Sequence, residues 1–261
     1  GAWNRDDYTG GLRRFCLHCH KGQYNLEGMW QAGGDYDGQV FLADLHLKQP
    51  NSDVSGTMIS LCVRKDNHIE LLRYAVTGTV GVDDLEMQFE FVNWDWYTQK
   101  GNPTSFGFKG SIDEGGRRLN GQLQGPLFRK GQMESRIVPQ NANRLSLVGI
   151  WQGVAEYQDG GQHGWLVLFP LAPSDYAGVC YIAFQNSGLT TIIKQLLIGS
   201  VDGQEITLQG TQSQLLVRGR TSQPIMEYFK GHVGSTGDLE GQIGTVGDET
   251  PTGTLVLKRV Y

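Results

Sequence analysis

Leu26-Glu27-Gly28-Met29-Trp30-Gln31 returns later in the chain as Leu147-Val148-Gly149-Ile150-Trp151-Gln152, and this pair of segments decides the fold. Four more pairs keep the same order. Ser52-Asp53 with Gly56 returns as Ser174-Asp175 with Gly178, and Thr77-Gly78-Thr79-Val80 as Ile198-Gly199-Ser200-Val201. Phe108-Lys109-Gly110 returns as Phe229-Lys230-Gly231, and Leu119-Asn120-Gly121-Gln122 as Leu239-Glu240-Gly241-Gln242. All five pairs lie about 120 positions apart, and collinear matches at near-constant offset mark a duplicated unit. The chain has 261 residues, a length that suits two ordinary domains. The repeat therefore predicts an arm over 1–25, a first domain over 26–138, a linker over 139–146 and a second domain over 147–261.

Each copy reads as β. Val40 to Leu47, Leu85 to Phe91, Phe106 to Ile112 and Leu119 to Leu123 alternate apolar and polar residues, the period of a half-buried strand. Clusters such as Asn102-Pro103 and Asp113-Glu114-Gly115-Gly116 punctuate them at hairpin distances. The 37 glycines are scattered as turn residues rather than set in a collagen-like period. Leu189 to Leu197 passes locally for a short helix, but its counterpart His68 to Val76 is strand-like, so both are expected to be strands. The expected fold class is all-β: two tandem homologous antiparallel domains, each a meandering barrel or a two-sheet sandwich. Trp30 and Trp151, at matching positions, are expected to plug the base of each domain.

The Gly-x-Trp openings, Gly28-Met29-Trp30 and Gly149-Ile150-Trp151, and the short Gly-bounded strands after them resemble the up-and-down barrels of the lipocalin and avidin groups. That resemblance implies a ligand cavity, which composition alone does not show.

Composition narrows the function classes. The formal charge is -5 and Lys and Arg form no stripe, so nucleic acid is not the expected partner. No run of 18 apolar residues exists, so no transmembrane helix is expected. Gly-x-Ser-x-Gly, His-Glu-x-x-His and a phosphate loop followed by a helix are all missing, so the chain is not read as an enzyme.

The most specific chemical signal is Cys16-Leu17-His18-Cys19-His20. It resembles the Cys-x-x-Cys-His attachment run of c-type cytochromes. The resemblance covers only this arm, and implies one covalent haem c. Cys16 and Cys19 would form thioethers to the two vinyl groups, and His20 would be the proximal iron ligand. It further implies a monohaem electron-transfer protein that serves a redox partner or self-assembles. Because such attachment takes place outside the cytoplasm, a periplasmic or extracellular location is expected. The same residues also permit half a zinc site; no second Cys pair completes it, although distant histidines could. A thioredoxin-like redox pair would need a βαβ context. A plain disulfide stays open, and with it the alternative of a tandem β-barrel binding or structural subunit without haem.

The sixth iron position is open among His46, His68, His163, His232, Met29, Met58, Met87, Met133 and Met226, each of which has a bland reading as core or surface. An iron with one axial ligand would bind a diatomic gas or peroxide, but the sequence assigns no distal polar group. Cys62 and Cys180 are not repeat equivalents and read as buried apolar residues, although a disulfide between them is a second possibility. Trp94-Asp95-Trp96-Tyr97, which the second repeat lacks, reads as an apolar patch where the domains meet or as a ligand cover.

The haem assignment makes a spectroscopic prediction. Reduced protein from a host that matures cytochromes shows sharp α and β bands, and denaturation does not release the pigment. Colourless protein from such a host refutes the assignment.

Overall fold

The computed structural model describes residues 24–36, 39–63, 69–94, 104–126, 131–138, 147–169, 176–186, 189–217 and 226–260. Within them the chain is all-β and forms two closed antiparallel barrels in tandem, which selects the barrel over the sandwich. The first barrel is β1 (Gly28–Tyr36), β2 (Gln39–Lys48), β3 (Asp53–Val63), β4 (Ile69–Val80), β5 (Asp84–Trp94), β6 (Phe106–Asp113), β7 (Arg118–Gln124) and β8 (Gln132–Ile137). The second is β9 (Gly149–Tyr157), β10 (Gln162–Phe169), β11 (Tyr176–Asn186), β12 (Leu189–Asp202), β13 (Glu205–Val217), β14 (Glu227–Val233), β15 (Leu239–Thr245) and β16 (Gly253–Arg259). The haem arm expected over 1–25 and the linker over 139–146 fall almost wholly outside the described residues.

Each strand pairs with the next in sequence, and the last closes on the first. Trp30 faces Ile137 and Gly34 faces Met133 across β1 and β8. Trp151 faces Arg259 and Tyr157 faces Gly253 across β9 and β16. Closure leaves no strand edge open to a second chain.

Alternation sets the inside. Along β5, Leu85, Met87 and Phe89 are buried while Glu86, Gln88 and Glu90 are exposed. Trp30 and Trp151 are both buried, and each indole N–H donates to the carbonyl of the residue four positions earlier, Leu26 at 2.9 Å and Leu147 at 2.8 Å. Gly28 and Gly149 precede these plugs with φ of 136° and 131°, a region that favours glycine.

Leu189 to Leu197 lies in β12, as the repeat required. Its near-continuous apolar run has a tertiary cause. Ile192 packs outward against the first barrel while Leu197 faces the second barrel's own core. The same holds in β10, where Trp165, Val167 and Phe169 point in while Leu166 and Leu168 point out. A strand buried on both faces shows no period.

The outward apolar cluster joins the barrels. Ile59, Leu61, Ile69 and Leu71 of the first pack against Ile150, Leu166, Leu168 and Tyr181 of the second. A polar clasp adjoins it. The buried Asp44 carboxylate accepts the Ile150 backbone N–H at 2.6 Å, and Gln31 donates to Asp44 at 3.4 Å and to the Phe169 carbonyl at 3.1 Å. Among the described residues no helix is long and apolar enough to cross a membrane.

Burial raises the Asp44 pKa from 3.8 to about 6, against the pull of the Ile150 and Gln31 hydrogen bonds and of Arg259. Between those values folded Asp44 keeps a proton that the unfolded chain has released, so stability falls as pH rises through that window. The full effect is about 3 kcal/mol. Asp44→Asn removes it. In urea unfolding, the stability of the variant minus that of the wild type therefore grows by up to about 3 kcal/mol between pH 4 and pH 7. Parallel pH profiles for the two proteins refute this assignment.

Candidate functional site

Cys16, Cys19 and His20 lie outside the described residues, as do His68, Asp95, Trp96 and Tyr97. The remaining candidates for the sixth iron position scatter. Met58, Met87 and Met133 are packed in the core of the first barrel, where an arm-borne haem could reach them only by unpacking it. Met29 is buried at the seam, where its Cε would meet a Cβ on Gly149 at 2.9 Å. His46 is half-buried on the outer face of β2, and Met226 and His232 are exposed. Of the described candidate histidines, only His163 points into a barrel interior. Cys62 and Cys180 are buried in different barrel cores, which excludes a staple between them.

His163 belongs to a constellation that the sequence did not single out. Tyr157 ends β9 and His163 is the second residue of β10, so the turn between the strands sets the two rings 4.3 Å apart. His163 stacks on Phe184 of β11 at 4.7 Å. Glu227 opens β14, shares the inward face of Phe229, and is 3% exposed. The Tyr157 hydroxyl donates to Glu227 Oε1 at 2.6 Å. The other carboxylate oxygen takes no hydrogen bond from the described residues.

Gln195 of β12 holds Glu227 in place. Its Nε2 donates to the Glu227 carbonyl at 2.7 Å, and its Oε1 accepts the Glu227 N–H at 3.0 Å. The side-chain amide thus replaces a neighbouring strand. Backbone pairing between β13 and β14 stops at Gln209 and Tyr228, whereas the equivalent pairing in the first barrel continues to Phe89 and Phe106. Gly210 makes room for it, since a Cβ there would collide with the Gln195 amide.

The first barrel fills the same end differently. The repeat places Phe41 at the position of His163, Tyr74 at Gln195, Phe89 at Gly210 and Phe106 at Glu227. Phe89 and Phe106 stack at 4.7 Å, and Tyr74 meets Phe106 edge-on at 5.2 Å. Glu70 also faces inward there, beside Tyr74, with Thr191 as its counterpart in the second barrel. The first barrel end therefore packs rings beside its buried acid Glu70, while its twin carries a different acid together with an amide and an imidazole. That contrast is the signal that could have found the site. Phe106 and Glu227 sit two residues before the matched Phe108 and Phe229, on the face that must be buried.

Burial shapes the electrostatics. It raises the Glu227 pKa from 4.5 to about 7, against the lowering effect of the Tyr157 hydrogen bond. Burial and the nearby Glu227 charge push the Tyr157 phenol and the Cys180 thiol well up. Burial holds His163 below its ordinary value, with Asp159 pulling the other way. The Trp165 indole N–H lies near enough to the Tyr157 hydroxyl to favour the phenolate weakly, yet makes no hydrogen bond of full geometry. His163 Nδ1 is likewise buried and unpartnered. The site holds an acid that titrates near neutrality, one phenol donor, and two polar nitrogens with unused capacity. Among the described residues no group of three or more His, Cys, Asp or Glu is placed to hold a metal ion.

Folded Glu227 keeps its proton to about pH 7, whereas the unfolded side chain releases it near 4.5, so stability falls as pH rises between these values. The loss is about 3 kcal/mol. Glu227→Gln keeps an oxygen for the Tyr157 hydroxyl and sheds the charge. Its stability advantage over the wild type therefore widens by up to about 3 kcal/mol from pH 4 to pH 8 in denaturant titrations. A constant difference across that range overturns the assignment.

No family model and no curated protein matches the chain. Among solved structures, kievitone hydratase from Nectria haematococca aligns over 92% of this chain and 91% of its own, at 8% identity and a TM-score of 0.20. A likeness at that score carries no argument.

Proposed function

We propose that the protein is a tandem-barrel binding protein. Its second barrel takes a small molecule at the end that holds Glu227, and its first barrel serves as scaffold. One observation carries this reading: a buried carboxyl in the position where the twin barrel has Phe106. Folding does not need it, because the aromatic plug closes the same architecture. A buried ionisable group with a strongly shifted pKa, ringed by unused hydrogen-bonding nitrogens, is what a binding site keeps and a core discards.

The first barrel supplies the test. His163→Phe, Gln195→Tyr and Glu227→Phe together convert the polar end into the plug that the twin already accommodates. Saturation-transfer NMR with the small neutral aromatics indole and 4-ethylphenol is expected to show binding to the wild type. The triple variant loses that binding and gains thermal stability. Unchanged binding in a folded triple variant overturns the proposal.

A second reading rests on a separate observation, the Cys16-Leu17-His18-Cys19-His20 run. The donor set suits haem c: two thiols for thioether bonds and an imidazole directly after the second. Of the described candidates for the sixth position, His46, His232 and Met226 are not locked inside a barrel. When bound, the group supplies one-electron transfer, which makes the chain a periplasmic or extracellular electron carrier with a barrel scaffold. His20→Ala then abolishes or reddens the spectrum. A mass equal to the bare chain, or lower by two hydrogens, rules the haem out and leaves the binding protein.

A further inference from the structure

We infer that the Glu227 end of the second barrel selects small organic cations, specifically protonated amines on an aromatic body. This rests on the binding reading above and names its ligand class.

The argument begins with charge. The ionised Glu227 carboxylate receives one hydrogen bond among the described residues, from Tyr157, and no described Lys or Arg neutralises it. Tyr157 comes from β9, His163 from β10 and Cys180 from β11, while β12 contributes the neutral Gln195. Among the described residues, Asp159 in the turn after β9 adds a second negative charge near His163. His163 is held in its neutral form by burial. At neutral pH and above, the described residues thus make this barrel end a negative site, with no Lys or Arg among them at Glu227. The low local dielectric strengthens its Coulombic pull on an ammonium, against the cost of desolvating that ammonium.

The walls suit such a guest. Tyr157 and Phe184 flank His163 at 4.3 and 4.7 Å, so aromatic rings line this end, with Trp165 packed in the core behind them. Cations favour the faces of such rings. An ammonium also brings N–H donors, which the second carboxylate oxygen and His163 Nδ1 can accept. The unpartnered Trp165 N–H wants the opposite, an acceptor on the guest. An amine bearing a hydroxyl on its aromatic ring therefore satisfies every unused group, and an anion satisfies only one.

Binding a cation also fixes the proton count. The guest needs Glu227 ionised, and burial leaves the empty site protonated below about pH 7. Affinity for a permanently charged amine should therefore rise about tenfold from pH 6 to pH 8. Close to one proton should leave at the acid end and almost none at the alkaline end.

The experiment is calorimetry on the whole protein with four probes of matched size: tyramine, phenethylamine, the neutral 4-ethylphenol and the anionic 4-hydroxyphenylpropionate. The expected order is tyramine, then phenethylamine, then 4-ethylphenol, with at least a tenfold preference for tyramine over 4-ethylphenol at pH 8. The anion should bind most weakly. Titrations at pH 6 in two buffers of different ionisation enthalpy should report the released proton. Glu227→Gln should bring tyramine within about twofold of 4-ethylphenol while 4-ethylphenol binding persists, which shows that the variant is folded. Equal affinity for amine and neutral probe, or a preference that survives Glu227→Gln, overturns the cation inference and leaves the binding reading intact. Failure of all four probes to bind overturns both.

Discussion

Everything in this molecule depends on the hydrogen bonds that close each sheet on itself, β1 to β8 and β9 to β16. A meander of eight short strands has two raw edges, and an open version would pair with other chains or splay. Closure turns the inward face of every strand into a shared interior and fixes which residues meet there. Trp30 and Trp151 stopper the interiors at the strand-entry ends, each anchored by an indole hydrogen bond to the residue that leads the chain in. What remains adjustable is the opposite end of each barrel, and there the two copies part company.

The divergence is chemically one-sided. The first barrel spends that end on packing, with Phe89, Phe106 and Tyr74 in ring contact. The second gives up strand pairing between β13 and β14, bridges the gap with the Gln195 amide, and buries a carboxylic acid beside a phenol. Each change costs stability: an unpaired stretch of backbone, a glycine in place of a ring, a desolvated charge. The first barrel shares one of these costs, a buried carboxyl at Glu70, but keeps the strand pairing and the ring at Phe89. The outward apolar surface of Ile59, Leu61, Ile69 and Leu71 also braces the polar-ended barrel from outside. The clasp of Asp44, Gln31 and the Ile150 N–H fixes the seam beside that surface. It puts a second acid of raised pKa into the molecule for a structural reason, so a raised pKa alone does not mark a site. Glu227 differs because unused polar nitrogens and ring faces surround it.

The fold was largely legible before any coordinates. The offset between Gly28-Met29-Trp30 and Gly149-Ile150-Trp151 announced two copies, and the alternation along β5 and β7 announced strands. The repeat even corrected local propensity at β12, where an apolar run imitates a helix because both of its faces are covered. The sequence left pairing of Cys62 with Cys180 open, and only the structure put them in separate cores. The candidate site was not legible in the same way. Tyr157, Gln195 and Glu227 lie far apart in sequence, form no motif, and look like ordinary polar strand residues. Only against the first copy do Gln195 and Glu227 stand out, where an aromatic residue should be.

The sequence by itself determined the duplication, the strand period, the tryptophan plugs and the Cys16-Leu17-His18-Cys19-His20 run, because these are local patterns or comparisons of the chain with itself. Only the tertiary structure decided barrel over sandwich, and only it brought Tyr157, His163, Gln195 and Glu227 to one barrel end. The physical reason is that closure is a non-local act. Which inward residues become neighbours depends on the register between strands distant in sequence, and no local period encodes that.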